Sequence, residues 1–496
     1  MSRLLAFFIL VFVAGCGGHV TPPDRVRLGI ASPATTLDPR FATDATSSRV
    51  VRLLYRRLVD FDPAGRPVPA LAKWEAITPT HYRLRLGREG RVFSDGSRLT
   101  AADVKATYAS VLDPATASPH RTTLTLIERI RVIDDDTLDF FIDRPDPLFP
   151  AYLVLGIVPA HALAGKDALN EQPMGSGPFE LEEWRDDGAM LLRARSDGRR
   201  VELVPVKDPT VRTLKLLRGE IDLLQNDLPP ELYHYLDARG TMRLHRRRGS
   251  NFTYLGFNMQ DPATSDLRVR QAVAHAIDRT RIIRYVLHGG ARRAEALLPP
   301  EHWAGNPDLK PIQYDPALAR RLLHAAGYSA RHPLHLVYKT STDPFRVRLA
   351  TIIQHQLKEV GIDTEVRSYD WGTFYGDIKA GRFQMYSLSW VGIRTPDVFR
   401  YVFHSTSLPP EGANRGRYAS AEVDRLIGQA ESAPSLAAQA PLYRRIQQQL
   451  HEDLPYVPLW YEDQVVVARA SIRGYRLAAD GNYDGLIDVR RGRAHQ

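Results

Sequence analysis

Covalent chemistry would require a nucleophile with a base in reach, or metal ligands at usable spacing, and the 496-residue sequence offers neither. There is no Gly-x-Ser-x-Gly elbow to expose an activated serine, and no His-Glu-x-x-His pair to hold a zinc ion with its general base. His275, His288 and His404 each stand without a paired histidine or cysteine, which is the pattern of surface or capping groups rather than ligands. Cys16 is the only thiol in the chain. No catalysis, no metal and no cofactor is therefore expected. What remains is non-covalent recognition and whatever chemistry is done to Cys16.

Cys16 ends a distinctive segment. Arg3 supplies one positive charge, an unbroken apolar run follows, and the run closes in small residues, which is the layout of a secretory signal. The run falls short of the roughly 20 apolar residues that a spanning helix needs, so it reads as removed rather than retained. Val13-Ala14-Gly15-Cys16 resembles the lipobox of bacterial lipoproteins, in which the cysteine is diacylated and becomes the first residue of the mature chain. That resemblance implies palmitate-like acyl chains on Cys16, a membrane as partner through the lipid anchor, and a place on the periplasmic face of a bacterial membrane. Two or three acyl chains hold a membrane far more firmly than one. With its only cysteine so used, the chain can form no disulfide although the compartment is oxidising.

Sixty-six Lys and Arg against 57 Asp and Glu leave a formal charge of +9, which raises the question of nucleic acid. The arginines are scattered, however. The densest runs, Arg246-Arg-Arg and Arg490-Arg-Gly-Arg493, lack interleaved aromatics and any recognisable binding module, so they read as solvated surface and no nucleic-acid partner is expected. Length alone suggests two or three domains with ample core.

The elements that must position any site follow from periodicity and punctuation. After a short Pro-containing tether, residues 17–24, a first strand is expected at 26–30, then a Pro- and Thr-rich loop and a helix over 47–58 with Val50, Val51, Leu54 and Leu58 on one face. Thr100-Ala-Ala-Asp103 fits a capping box opening a helix to Leu112. Strands at 130–133 and 138–142 flank an acidic turn, which with the preceding alternation at 82–86 suggests a small α+β unit. Gly175-Ser-Gly-Pro-Phe179 punctuates the chain. A helix over 211–218 ends at Gly219, and strands are expected at 221–224 and 254–259. Asp266 caps a helix to Ile277, and Asp315-Pro316 to Gly327 carries both helix-end signatures. The strand at 335–338, helix at 345–360 and strands at 363–369 and 383–390 predict a βαβ unit. A helix over 442–452 and strands at 456–461 and 464–468 follow. The final segment, 472–496, is too polar to form a lobe alone and is expected to pack on the first one.

Taken in order, several segments resemble the bacterial solute-binding proteins of family 5, which include dipeptide-, oligopeptide- and nickel-binding proteins. They are Thr36-Leu-Asp-Pro39, Leu53-Leu-Tyr-Arg-Arg-Leu58, Pro69-Ala-Leu-Ala-Lys-Trp74, Tyr82-Arg-Leu-Arg-Leu86 and, most specific, Phe93-Ser-Asp-Gly-Ser-Arg-Leu-Thr-Ala-Ala-Asp-Val104. Gly175-Ser-Gly-Pro-Phe179, Gly219-Glu-Ile-Asp222, Arg268-Val-Arg-Gln-Ala272 with Ala276-Ile-Asp-Arg279, residues 315–328 and Leu454-Pro-Tyr-Val-Pro-Leu459 complete the series. The resemblance implies an α/β class and a two-lobed periplasmic-binding-protein fold (type II, large cluster C form), with an extra small α+β domain inserted in lobe one. Mapped here, lobe one would be 25–52, 178–260 and 470–496, the insert 53–177, and lobe two 261–469. It further implies a monomer that captures a small-molecule or peptide ligand between closing lobes and delivers it to ABC permease and ATPase subunits. A sensor or chaperone of the same fold, uncoupled from transport, is the alternative.

In this family the ligand cleft is lined by the loop after Trp-x-Gly, here Trp390-Val-Gly-Ile-Arg-Thr-Pro-Asp-Val-Phe399. Peptide-binding relatives place an aspartate directly after that motif to pair with the ligand's α-ammonium; Ile393 stands there instead. An isoleucine cannot replace a buried carboxylate, and a desolvated ammonium left unpaired costs several kcal/mol, about 3–5 when one partner of a buried pair is removed. Weak capture of free peptide N-termini is therefore expected. Asp397 either substitutes for the missing carboxylate or caps the segment that follows. Where dipeptide-binding relatives carry an arginine for the ligand carboxylate, Lys339 offers a cation without the bidentate fork. Arg394, Asn414 and Arg415, with the aromatics Trp371 and Trp390, complete the candidate lining, since a cleft for an organic ligand needs aromatic walls and a few placed polar groups.

Overall fold

Two long antiparallel strands, Met242–Phe257 and Tyr456–Arg469, carry the architecture of this computed structural model, which describes residues 25–164 and 168–492. The Cys16 lipobox and the tether at 17–24 lie outside the described residues. Residues 242–247 pair with 469–464, whereas 251–256 pair with 462–456 across one register shift between Thr253 and Tyr254, and the ladder is interrupted between Arg247 and Asn251. Each strand thus serves two cores in succession.

Around this pair the main sheet continues on both sides. One side adds Leu223–Gln225, Arg25–Ile30 and Arg200–Pro205, and then the antiparallel strands Met190–Ala194 and Phe179–Trp184. The other adds Met385–Trp390, Leu334–Ser341 and Ile362–Tyr369, which are mutually parallel. The parallel pair Leu334–Ser341 and Ile362–Tyr369 is joined through the helix Pro344–Glu359, whose Asp343 cap accepts the Arg346 N–H. A separate four-stranded antiparallel sheet, Ala72–Thr78, His81–Leu86, Thr137–Ile142 and Ile127–Asp134, packs Leu84, Leu138 and Phe140 against Val104 and Tyr108 of the helix Ala101–Leu112. In that helix Thr100 N–H donates to the Asp103 carboxylate at 2.8 Å. The C-terminal segment returns to the first core, where Tyr483, Leu486 and Val489 pack with Val26, Leu28 and Val201.

Several elements depart from the sequence reading, each for a local reason. The helix expected over 47–58 is Ala45–Leu54, and Tyr55 is already extended. Its last carbonyl, Leu54 O, accepts the Gly177 N–H at 2.8 Å, and Leu58 is buried in the insert's core instead. The strand expected at 254–259 begins at Met242, so Arg246-Arg-Arg lies on and beside a crossover strand. Arg246 donates to His288 O at 2.9 Å and Arg247 to Leu477 O at 2.8 Å. Arg490-Arg491 likewise does more than face water, since Arg491 meets the buried Asp222 at 2.5 Å. The last long helix starts at Leu436 under a Ser435 cap and accommodates Pro441 inside it. The strands expected at 456–461 and 464–468 are one.

Gly175-Ser-Gly-Pro-Phe179 is a packing device. A Cβ on Gly175 would lie 1.9 Å from Leu54 O, and one on Gly177 2.3 Å from Leu53 O, so only bare backbone fits against the helix end. Gly175→Ala is expected to lower the urea midpoint, with a cost of at least about 2 kcal/mol, as overpacking a close backbone contact does. An unchanged midpoint would show that the segment can move away freely.

Candidate functional site

The register determines where a ligand can sit. Gln225 lies opposite Val466, toward the end of Tyr456–Arg469 that enters the other lobe, and Trp390 lies opposite Phe252, next to the ladder interruption. The carboxyl ends of both sets of parallel strands therefore point at each other across the crossover. That is the crevice in which open α/β sheets bind ligands. Ser341, Tyr369 and Trp390 deliver their following loops to it from the second lobe, and Ile30, Pro205 and Gln225 from the first.

Among the residues singled out from sequence, Trp371, Trp390 and Arg415 come together. Trp371, 58% exposed, opens the helix Trp371–Ala380 and stacks on Tyr375 with 5.4 Å between ring centroids and 7° between planes. The Arg415 guanidinium lies 5.3 Å from the Tyr375 ring centre and 4.9 Å from that of Trp390. It donates to Tyr254 Oη at 3.2 Å and Tyr375 Oη at 3.1 Å. Arg415 is 7% exposed, and no carboxylate pairs with it among the described residues. Burial opposes its charge, yet the hydroxyls of Tyr254, Tyr456, Tyr386 and Tyr375 hold its pKa above the ordinary value. The Trp390 indole N–H is buried without an acceptor. The result is a cation held behind an aromatic wall.

Other candidates are occupied within the protein. Lys339 Nζ meets Asp377 at 2.7 Å and lies over the Tyr369 ring. Asn414 is 2% exposed and spends its amide on the loop, donating to His404 O and Tyr418 O and accepting the Tyr418 N–H. Ile393 packs with the apolar cluster that contains Phe399, Val402 and Tyr443. Asp397 stands at the cap of Val398–Phe403 but makes no side-chain cap hydrogen bond. Arg394 reaches across to the C-terminal segment, meeting Asp480 at 2.7 Å, while its carbonyl accepts from His302 Nε2 at 2.9 Å. His275 and His404 engage Gln313 O and Thr406 Oγ1, and His288 stacks on His234. No group of three or more metal-ligating side chains occurs among the described residues.

Sequence reasoning missed Tyr375 and the partners that bridge the lobes. Asp480 pairs with Arg394, and Glu231 with Arg348 at 3.0 Å. Their separations of 86 and 117 residues leave no local signal.

Residues 66–408 match the family described as bacterial extracellular solute-binding proteins, family 5 (middle). The chain is 30% identical over 479 residues to the peptide transport periplasmic protein SapA of Salmonella typhimurium, covering 86% of this chain and 85% of that one. It is 26% identical over 464 residues to the dipeptide-binding protein of Escherichia coli, covering 85% and 86%. Among solved structures, the ABC transporter-associated periplasmic binding protein DppA of Helicobacter pylori, in complex with peptide STSA, superposes with a TM-score of 0.77 at 25% identity, covering 95% of this chain and 98% of that one. NikA of Brucella suis, in complex with Fe(III)-EDTA, shares the fold with a TM-score of 0.85 at 24% identity, covering 94% and 99%.

Where the insert meets the second lobe, three carboxylates approach one another. Asp146 accepts from Leu148 N–H at 2.8 Å and Tyr152 Oη at 3.0 Å, and Leu148 is buried in the second lobe's core. Burial pushes the Asp146 carboxyl up to about 6, and Asp397 and Glu431 add to the rise against those two hydrogen bonds. Because the folded carboxyl takes up its proton at higher pH than the unfolded one, ionisation costs stability above about pH 6, and that cost is relieved as pH falls toward about 4. Asp146→Asn should therefore stabilise the protein at pH 7.5 by up to about 3 kcal/mol relative to wild type, with the difference shrinking at pH 4.5. Urea unfolding at the two pH values tests it; a difference that does not depend on pH would rule out the shifted carboxyl.

Proposed function

The chain belongs to the bacterial extracellular solute-binding proteins, family 5, and from that premise we infer that it is the substrate-binding component of an ABC importer, capturing a small organic solute, peptide or peptide-like. It binds and does not catalyse. The observation that carries this reading is the pair of opposed strand ends joined by only two crossover strands. A ligand between them touches both lobes at once and stabilises the closed form by that difference in contact. The interlobe ion pairs Arg394–Asp480 and Arg348–Glu231 are partly exposed and contribute at most about 1 kcal/mol each, so ligand contacts must supply most of the bias toward closure.

For the ligand we propose a wall of Trp390, Trp371 and Tyr375 with Arg415 behind it, which favours a body with an apolar or aromatic face and negative charge nearby. Ile393 argues against anchoring a free α-ammonium in the manner of the peptide-binding relatives. Mass spectrometry of the solute that co-purifies, added back to ligand-free protein, is expected to show a raised melting temperature and a reduced scattering radius. Trp390→Ala should weaken its binding about tenfold or more, the scale of losing a buried aromatic contact. No response to any solute would overturn the receptor reading, and tight calorimetric binding of several unmodified dipeptides would overturn the argument from Ile393.

The membrane anchor is a separate proposal, supported by the lipobox pattern ending in Cys16. Cys16→Ser should move the protein from the membrane fraction to the soluble one. Retention on the membrane would rule the anchor out.

A further inference from the structure

A second cavity, of about 420 Å³, lies apart from the interlobe crevice, where the inserted domain meets the first lobe. Arg56, Val92, Ser176, Phe179, Arg195 and Ile487 are among its walls. Its size is that of a site for a small organic molecule.

Its charge is unbalanced. Arg56 is exposed, and its side chain makes no hydrogen bond or ion pair with any described residue. It lies so close to Gly90 that a Cβ there, on a backbone with φ +70°, would sit 2.4 Å from Arg56 Nε. Arg195 spans the boundary between the two units, donating to Val92 O and Gly175 O, each at 2.7 Å. Its one carboxylate neighbour, Glu180 at 3.2 Å, is shared with Arg193 at 2.5 Å. Burial is what chiefly pushes the Arg195 pKa down; Glu180 opposes the shift, and Arg193 and Arg56 add to it. Ser176, 3% exposed, holds its hydroxyl in this wall without a partner. Arg91, also in the wall, is already committed to Asp136 and Leu99 O. The apolar Val92 and Ile487, both exposed, share the wall with these cations.

We propose that this cavity is a second binding site, for a small organic anion, in which Arg56 and Arg195 hold a carboxylate or phosphate group and Val92 and Ile487 receive an apolar body. Charge-assisted hydrogen bonds from arginine to such oxygens are among the stronger polar contacts, and here they would satisfy a guanidinium side chain that has no partner among the described residues. Because both sides of the site lie within the first lobe and its insert, occupancy ties those two units together and leaves the interlobe angle alone. A ligand here raises the melting temperature without changing the scattering radius.

The test uses the full chain with phenyl phosphate and benzoate as probes and phenol as the uncharged control. Calorimetry should show saturable binding of at least one of the two anions and none of phenol. Arg56→Ala, a change at an exposed side chain, should weaken that binding about tenfold or more, while Trp390→Ala leaves it unchanged. Absence of saturable binding for both anions overturns the proposal. So does binding that survives Arg56→Ala and is lost in Trp390→Ala, which would place the anion in the interlobe crevice. Since Arg56 has no part in the crevice, solute-induced closure in Arg56→Ala reports on the receptor reading independently.

Discussion

The arrangement depends on one constraint, that a single pair of antiparallel strands must be shared by two hydrophobic cores. Between Arg247 and Asn251 the ladder is broken, and at its centre Gly249 sits so close to the neighbouring strand that a Cβ would be 2.2 Å from Glu462 O. Pairing on either side, with one register shift between Thr253 and Tyr254, ties each strand segment to its own lobe. The few residues in the gap are freer to absorb the backbone rotation that closure needs. Both sets of parallel strands meet the pair with their carboxyl ends toward this gap. The position of the crevice follows from strand direction before any side chain is considered.

The energetics of closure follow from the same geometry. Apart from Leu148 of the insert, which is buried with the second lobe's core, the lobes are joined by surface ion pairs that are individually weak. A balance of a few kcal/mol is within reach of a ligand with even modestly better contacts in the closed form. Arg415 sharpens this. A guanidinium surrounded by tyrosine hydroxyls and indole, with no carboxylate paired to it among the described residues, is desolvated yet kept charged by those neighbours. In the proposed wall, that uncompensated charge biases the crevice toward ligands carrying the opposite sign.

Much of the fold was legible because local signals and global packing agree. Asp266, Asp315 and Gly219 end helices where the sequence places them, and the βαβ unit from Leu334 to Tyr369 follows from period alone. Legibility failed where tertiary contact overrules pattern. The apolar stripe through Leu58 suggests a longer helix, but the Gly175 segment closes on Leu54 and redirects the chain. Arg246-Arg-Arg hides a crossover strand, since a strand in a hinge need not be apolar. The site was less legible than the fold. Lys339 and Asn414 have the right chemistry and neighbourhood for a ligand, yet their partners Asp377, His404 and Tyr418 already satisfy them. Only three-dimensional proximity separates them from Arg415, whose partners, the Tyr254 and Tyr375 hydroxyls, leave its charge without a carboxylate among the described residues.

The same comparison bears on the missing aspartate. Asp397 is four residues beyond Ile393, and spacing alone would let a rearranged loop bring it to an ammonium. Ile393, however, is part of the second lobe's apolar packing, which fixes the loop between them. Burial raises the Asp397 pKa and Glu431 adds to the rise, against hydrogen bonds from Thr395 and the backbone that lower it. Arg400 is bound to Glu431 and brings no cation to Asp397 in their place. The acidic groups therefore gather against the insert around Asp146, while the cation Arg415 lies behind Trp390. With Ile393 at the position where the resemblance puts an aspartate, the proposed crevice carries a cation at its aromatic wall, a polarity that suits an anionic group on the ligand better than a free amino terminus.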